Sequence, residues 1–387
     1  MEIIPGFKIL QERGNVMKLY NMHIDEVDIF CGNKTIIAFG AGNTLKNFIC
    51  QYGKFHFEDR IQYVADNNER LSGTQFEVKE KMIPIISFQK LLGMEDYLLM
   101  IACQDYVNVY RQLDEAVELN DIPCFITTFI DIETKWKRDS DLFSIESMRI
   151  TKEPMIPKKI HYCWFGKGEI PPQCQLWMSS WQKYCPDYEI IRWDETNYDV
   201  SKNRYMAEAY RSKVWGYVPD YARLDILYRE GGIYLDTDVE LVKNIDELLY
   251  QPAFAGIEST GKVNPGLGFG SVCGHPMIRK LRDAYDSLEF VNDGGGYGMV
   301  ASPTVLKPIF EESGYVDNGE YQIVDDMTIY PEIVLSGMNN VTGAIHITDS
   351  TYAIHHYAGT WISEQRRKDQ DAIKKIYENV FNDIKKI

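Results

Sequence analysis

The chain has 387 residues and a formal net charge of -16, an excess of carboxylates that argues against a nucleic-acid partner, whose phosphates need clustered Lys and Arg. Hydrophobic residues at 45% and charged residues at 25% are those of a globular chain with a sizeable core, long enough for two domains, and they exclude extensive disorder. The eight cysteines stand apart without CxxC pairs, which excludes a zinc ribbon or disulfide frame and predicts reduced thiols.

In chain order, the opening MEIIPGFKILQERGNV lacks a basic segment followed by an apolar core. No later run approaches the ~18 apolar residues of a membrane span, so a cytoplasmic protein is expected. From Lys34 an apolar strand meets the glycine turn Gly40-Ala41-Gly42 and an amphipathic helix. Further strands are predicted at 61–65, 97–102 and 123–127, with the clearest helix at 106–119. Strands alternating with helices predict a Rossmann-like parallel sheet over residues 1–150. Gly40 and Gly42 match the first two glycines of a dinucleotide fingerprint, and Asp66 lies near the distance, ~20 residues on, of a ribose-binding acid; Leu45 stands where the third glycine belongs. A cofactor at Gly40 and Gly42 and a purely packing role for this turn both fit. The charged, proline-ended stretch 131–157 reads as a linker, placing a second domain at 151–387.

That domain opens with Ile160-His161-Tyr162-Cys163-Trp164-Phe165-Gly166, a strand running into a glycine turn, then a helix at 174–184 carrying Trp177 and Trp181 on an apolar face. The run 188–194 and a helix at 205–215 lead to GYVPDYARLDILYREGGIYLDTDVEL. Within it, residues 219–230 have helical spacing, Gly231-Gly232 cap the helix, and Ile233-Tyr234-Leu235 form a short buried strand ending in Asp236-Thr237-Asp238. Carboxylates at i and i+2 on extended backbone point to one side and can converge on a hard cation such as Mg2+ or Mn2+. Asp220 and Arg223, at i and i+3, share a helix face beside them. A strand at 253–258 and the glycine-rich run 264–270 follow; such a run allows close backbone approach to a sugar and equally fits a flexible loop with no contact. Near the end stand His355-His356 and Gly359-Thr360-Trp361, then an amphipathic tail with Ile373, Tyr377, Val380, Phe381 and Ile384 on one face and basic clusters on others. That tail fits a helix packed on its own domain better than one lying on an anionic membrane.

The run Asp220-x-x-Arg223 followed by Gly231-Gly232-Ile233-Tyr234-Leu235-Asp236-Thr237-Asp238 resembles the DxD sugar-binding region of glycosyltransferase family 32 and of capsular polysaccharide synthesis proteins, and is more distantly similar to the glucosylating domain of large clostridial toxins. The resemblance implies a GT-A-like mixed α/β domain and a metal-dependent, retaining hexosyltransferase that takes a nucleotide sugar, expected to be a UDP-hexose. It implies Trp164 stacked on the base, Asp238 as principal Mn2+ (or Mg2+) ligand with Asp236 bridging, and Asp220 and Arg223 hydrogen-bonded to the donor sugar. It implies a histidine completing the metal shell and the Thr360-Trp361 pair on the diphosphate. Adjacent histidines on extended backbone face opposite ways, so only one can reach the metal; His356 is expected, His355 the alternate. Ala301-Ser302-Pro303 replaces the relatives' Thr-Gly-Pro-like turn on the acceptor side. The acceptor is expected to be a surface glycan or its lipid-linked precursor. Rival readings are a toxin-like protein glycosyltransferase, a nucleotide-sugar oxidoreductase driven by the Gly40 turn, and a non-catalytic subunit that kept the fold. No Tyr-x-x-x-Lys pair accompanies that turn.

Overall fold

A computed structural model describes residues 17–142, 149–292, 294–359 and 364–378. The chain divides into two compact units, residues 1–138 with 375–387, and residues 139–374. The division thus falls some way before the expected boundary at 150, and the end of the chain groups with the first unit.

In the first unit seven strands, β1 (Lys18–Tyr20), β2 (Thr35–Phe39), β3 (Ile61–Asp66), β4 (Gln75–Val78), β5 (Lys81–Ser87), β6 (Tyr97–Ile101) and β7 (Pro123–Ile126), form one sheet in the order β1-β7-β6-β2-β3-β5-β4. Every pairing is parallel except β4 with β5. Strands such as Tyr97–Ile101 are buried along their whole length, which is why they read as unbroken apolar runs. The hairpin β4–β5 and the edge strand β1 were not expected. Nor is 131–157 a plain linker: a helix covers Thr127–Leu142, with Phe129, Ile130 and Trp136 buried. Lys137 and Arg138 are exposed on it while Asp139 is itself buried, an amphipathic pattern that composition alone mistakes for a connector. Within the same unit Tyr377, near the end of the helix Glu364–Glu378, sets its ring edge-on to Phe129 at 5.1 Å. Val380, Phe381 and Ile384 lie outside the described residues.

The second unit holds a mixed sheet of β8 (Lys159–Cys163), β9 (Glu189–Trp193), β10 (Gly232–Tyr234), β12 (Ala253–Gly256), β13 (Phe269–Ser271), β14 (Gln322–Val324) and β15 (Met327–Tyr330), in the order β14-β15-β12-β13-β10-β8-β9. Strands β9, β8 and β10 run parallel, and β13 lies antiparallel between β10 and β12. A separate antiparallel pair joins β11 (Val239–Leu241) to β16 (Ala353–His355). Part of the glycine-rich run is therefore not loop but inner strand: a Cβ at Gly270 would lie 2.5 Å from the Phe254 ring, so only glycine fits that rung. Both units are α/β, a Rossmann-like parallel sheet followed by a mixed α/β domain.

Candidate active site

Pro219 starts the helix Pro219–Glu230, where its missing N–H costs nothing, and Gly231 (φ 65°) and Gly232 (φ 100°) end it. Neither glycine tolerates a side chain, since a Cβ would meet Cys273 N or Lys159 O at 2.9 Å. The chain therefore turns directly into β10, carrying the Asp-Thr-Asp segment to the carboxyl edge of the sheet. Asp220 and Arg223 sit one helical turn apart and are buried. The Arg223 guanidinium donates to Asp220 Oδ1 (3.2 Å) and to Asp236 Oδ2 (3.2 Å), and its Nε to the Pro219 carbonyl (3.3 Å). It lies over the Tyr234 ring at 5.1 Å, while the Tyr234 hydroxyl donates to Asp236 Oδ1 (3.1 Å). Both oxygens of Asp236 are thus oriented by groups of the helix and strand that precede it.

Asp238 is the last residue of the turn into β11. Its Oδ2 accepts the Ala358 N–H (2.9 Å) and its Oδ1 faces His355 Nε2 (3.3 Å). Ligand atoms of Asp236, Asp238 and His355 lie within 4.8 Å of one another, as a shared cation requires. The adjacent His356 points elsewhere: its Nε2 lies 2.8 Å from Glu240 Oε2 and its ring stacks on Trp177 at 4.1 Å and 9°. The register of β11 with β16 explains this. Glu240 pairs with Ile354, so His356, two residues on, shares their face, whereas His355 takes the opposite face with Val239; Asp238, opposite His356 in this register, reaches His355 because it lies in the 237–238 turn rather than on the strand. His355 rather than the expected His356 joins the acidic pair, and Trp177, expected in the core, is half-buried beside His356.

Electrostatics separate the two carboxylates. Burial pushes both upward. For Asp238 the His355 imidazole and the Ala358 N–H outweigh it and hold the carboxyl down at about 2; for Asp236, burial and the charge of Asp238 prevail over Arg223 and raise it. Burial also pushes Asp220 up, to about 7, against the pull of Arg223. His355 is raised: burial opposes its charge, but Asp238 prevails.

The donor set fits a divalent ion. Two carboxylates with one imidazole suit Mn2+, which accepts oxygen and nitrogen together, better than Mg2+. His355 Nδ1 is moreover buried without a hydrogen-bond partner, so the imidazole is not fully satisfied by the protein alone. Because His355 holds its proton more tightly than free histidine, a metal must displace that proton. Mn2+ affinity should therefore weaken as pH falls from about 8 toward 6, through the range in which histidine titrates. Calorimetric Mn2+ titrations across that range check this, and His355→Ala should flatten the slope. An affinity independent of pH in the native chain would remove His355 from the ligand set.

The remaining expected residues fare differently. Trp164 is half-buried at the edge where β8 ends, parallel to β10, its indole N–H tied to the Gly168 carbonyl (2.7 Å). Thr360 and Trp361 lie outside the described residues. Gly40 and Gly42 belong to the first unit. A Cβ at Gly40 would strike Ala102 O at 2.8 Å, so packing alone demands that glycine. Gly42 caps the helix Asn43–Gln51. Asp66, spaced like a ribose ligand, spends its oxygens on the N–H groups of Ala41 and Asn68 (2.8 Å each) and so braces the turn. Sequence reasoning missed Tyr234 and Ala358, which orient Asp236 and Asp238. It also missed that Gly266 presses on Asp236, where a Cβ would lie 2.6 Å from Oδ2. The only available signal was the glycine-rich run itself.

The second unit brings together a helix-borne Asp/Arg pair, an acidic strand end and a converging histidine, and residues 171–255 match a family described as "Glycosyltransferase sugar-binding region containing DXD motif". The match lies within the second unit and marks it as glycosyltransferase-like. The chain is similar to inositol phosphoceramide mannosyltransferase 3 of Schizosaccharomyces pombe, at 32% identity over 40% of this chain and 43% of the relative. It is similar to a mannosyl phosphorylinositol ceramide synthase of Saccharomyces cerevisiae, at 36% over 44% and 47%. It also matches "Subversion of eukaryotic traffic protein A" of Legionella pneumophila, at 28% over 37% and 28%. The chain spans less than half the length of these curated relatives. Among solved structures the "PaToxG Glycosyltransferase" aligns with a TM-score of 0.35 at 19% identity, covering 48% of this chain and 79% of that one.

Proposed function

We propose that the chain is a metal-dependent, retaining glycosyltransferase that moves a hexose from a nucleotide sugar to a hydroxyl of a glycan or its lipid-linked precursor. The observation that carries this reading is the convergence of Asp236, Asp238 and His355 on one point, with Asp220 and Arg223 behind them. Asp236, Asp238 and His355 would hold the metal, which when bound offsets charge on the departing diphosphate. Asp236 is the most open of the charged trio, with a quarter of its side chain exposed against 6% for Asp220 and Arg223. In this proposal Asp236 meets the donor, while Arg223 keeps its carboxylate turned to the site and supplies positive charge near the diphosphate. As the sugar takes on oxocarbenium character, these fixed carboxylates stabilise it without reorganising. Trp164 offers a π-face to the base.

A UDP-hexose is the donor this reading expects, with a capsule or O-antigen type acceptor and action in the cytoplasm at the inner face of the membrane. A second reading, mannosyl transfer to an inositol-bearing lipid, is favoured by the names of the fungal relatives. Among the described residues no helix is long and apolar enough to cross a membrane. Hydrolysis of UDP-, GDP- and dTDP-sugars without acceptor, in Mn2+ or in EDTA, tests the class and separates the two donors. Slow, EDTA-sensitive release of sugar from one donor is expected. No hydrolysis, together with no calorimetric binding of any nucleotide sugar in Mn2+, would sink the transferase proposal.

A further inference from the structure

Beyond the strand β12 the chain forms a tight excursion, Ile257 to Val263, closed by an antiparallel bridge between those residues and by the Glu258 N–H on the Lys262 carbonyl (2.9 Å). Glu258 is 8% exposed, and among the described residues no Lys or Arg forms an ion pair with it. Its oxygens instead accept two neutral donors, the Thr260 hydroxyl on Oε1 (2.5 Å) and the Asn264 amide on Oε2 (2.8 Å). A nearly buried carboxylate with only neutral partners is unfavourable for stability alone, which points to a use elsewhere.

Its reach can be followed atom by atom. The Asn264 amide, with its nitrogen anchored on Glu258, turns its Oδ1 to accept the Gly266 N–H (2.8 Å). Gly266 in turn is buried against the charged pair, so close that a Cβ there would lie 2.6 Å from Asp236 Oδ2 and 3.4 Å from the Arg223 guanidinium. We infer that Glu258 is a positioning residue of the sugar-transfer site: through Asn264 it seats the Pro265-Gly266 backbone that confines Asp236 to the orientation in which it can share a cation with Asp238 and His355. The inference rests on the DxD reading of the site. It concerns hydrogen-bond geometry and not the charge of Glu258.

Geometry and charge can be told apart. In Glu258→Gln the side-chain oxygen can still accept from Asn264, and its amide can donate to a rotated Thr260 hydroxyl, so the chain of contacts survives while the charge is lost. Glu258→Ala breaks it at the first link and Asn264→Ala at the second. Mn2+ binding, followed by electron paramagnetic resonance of the free ion, is expected to weaken about tenfold in each alanine variant and to stay within about threefold of native in Glu258→Gln, the scale found for outer partners of metal ligands. The double alanine variant should be no weaker than either single one, since both cut the same chain. Asn264→Ala, at a half-buried site, stands in should Glu258→Ala fail to fold. Native affinity in the alanine variants, with Asp236→Asn losing the metal, would overturn the positioning role while leaving the transferase reading intact. Equal losses in Glu258→Gln and Glu258→Ala would assign the effect to charge and likewise overturn it, as would additive losses in the double variant. A native chain that binds no Mn2+ would instead remove the site itself.

Discussion

Replacing Asp238 by asparagine is expected to lower metal-dependent donor hydrolysis by on the order of 10³-fold, about 4 kcal/mol of lost charge stabilisation, with the fold retained. Asparagine keeps an acceptor for the Ala358 N–H that orders the turn, so the backbone around position 238 has no reason to move. What it loses is the anionic oxygen facing His355, and with it one of the two charges that make the site attractive to a divalent ion. Alanine should be as inactive and less stable. The check is EDTA-sensitive hydrolysis beside a Mn2+ titration and a thermal melt. Hydrolysis that stays EDTA-sensitive and within tenfold of native in Asp238→Asn would show that the ion sits elsewhere.

The second large effect is on stability. Arg223→Met should cost about 3 kcal/mol, the scale of breaking a buried ion pair, because it leaves Asp220 and Asp236 facing each other across a buried space with no cation between them. Lysine at 223 should recover only part, since one ammonium cannot reproduce a fork that spans two carboxylates. The pH dependence has a defined sign. Asp220 is already raised to about 7, against about 3.9 in an unfolded chain, so its stabilising contribution is complete below about pH 4 and lost as pH rises through 7. Removing the arginine raises it further. The deficit of Arg223→Met should therefore shrink between pH 8 and pH 5.5, and adding Asp220→Asn should restore much of the loss at pH 8. Calorimetric melts of the native chain and the three variants at both pH values decide it. A deficit that grows toward low pH would mean that Asp220 is not the group left uncompensated.

Much of the site lay open in the sequence because its logic is local. Asp220 and Arg223 share a face by helical periodicity, Gly231-Gly232 must end a helix, and a three-residue apolar strand delivers Asp236 and Asp238 to a sheet edge. None of this needs a partner element. Alternation likewise established that His355 and His356 face apart, but not which of them turns inward. That choice belongs to the pairing of β11 with β16, segments more than 100 residues apart, together with the 237–238 turn that carries the Asp238 side chain to His355. The same holds for Gly266, whose role is the close approach of its backbone to Asp236, and for Gly40, whose turn reads like a nucleotide fingerprint and is required by the approach of Ala102. The helix at 127–142 was hidden because charges crowd its sequence, while Phe129, Ile130 and Trp136 are buried only by folding, Phe129 against Tyr106 and Tyr377 of other helices. The sequence by itself determined the alternating strands and helices, the paired carboxylates and the class of chemistry they support. Only tertiary structure decided which histidine and which glycine complete the site, because those choices depend on distances between residues that the chain brings together only by folding.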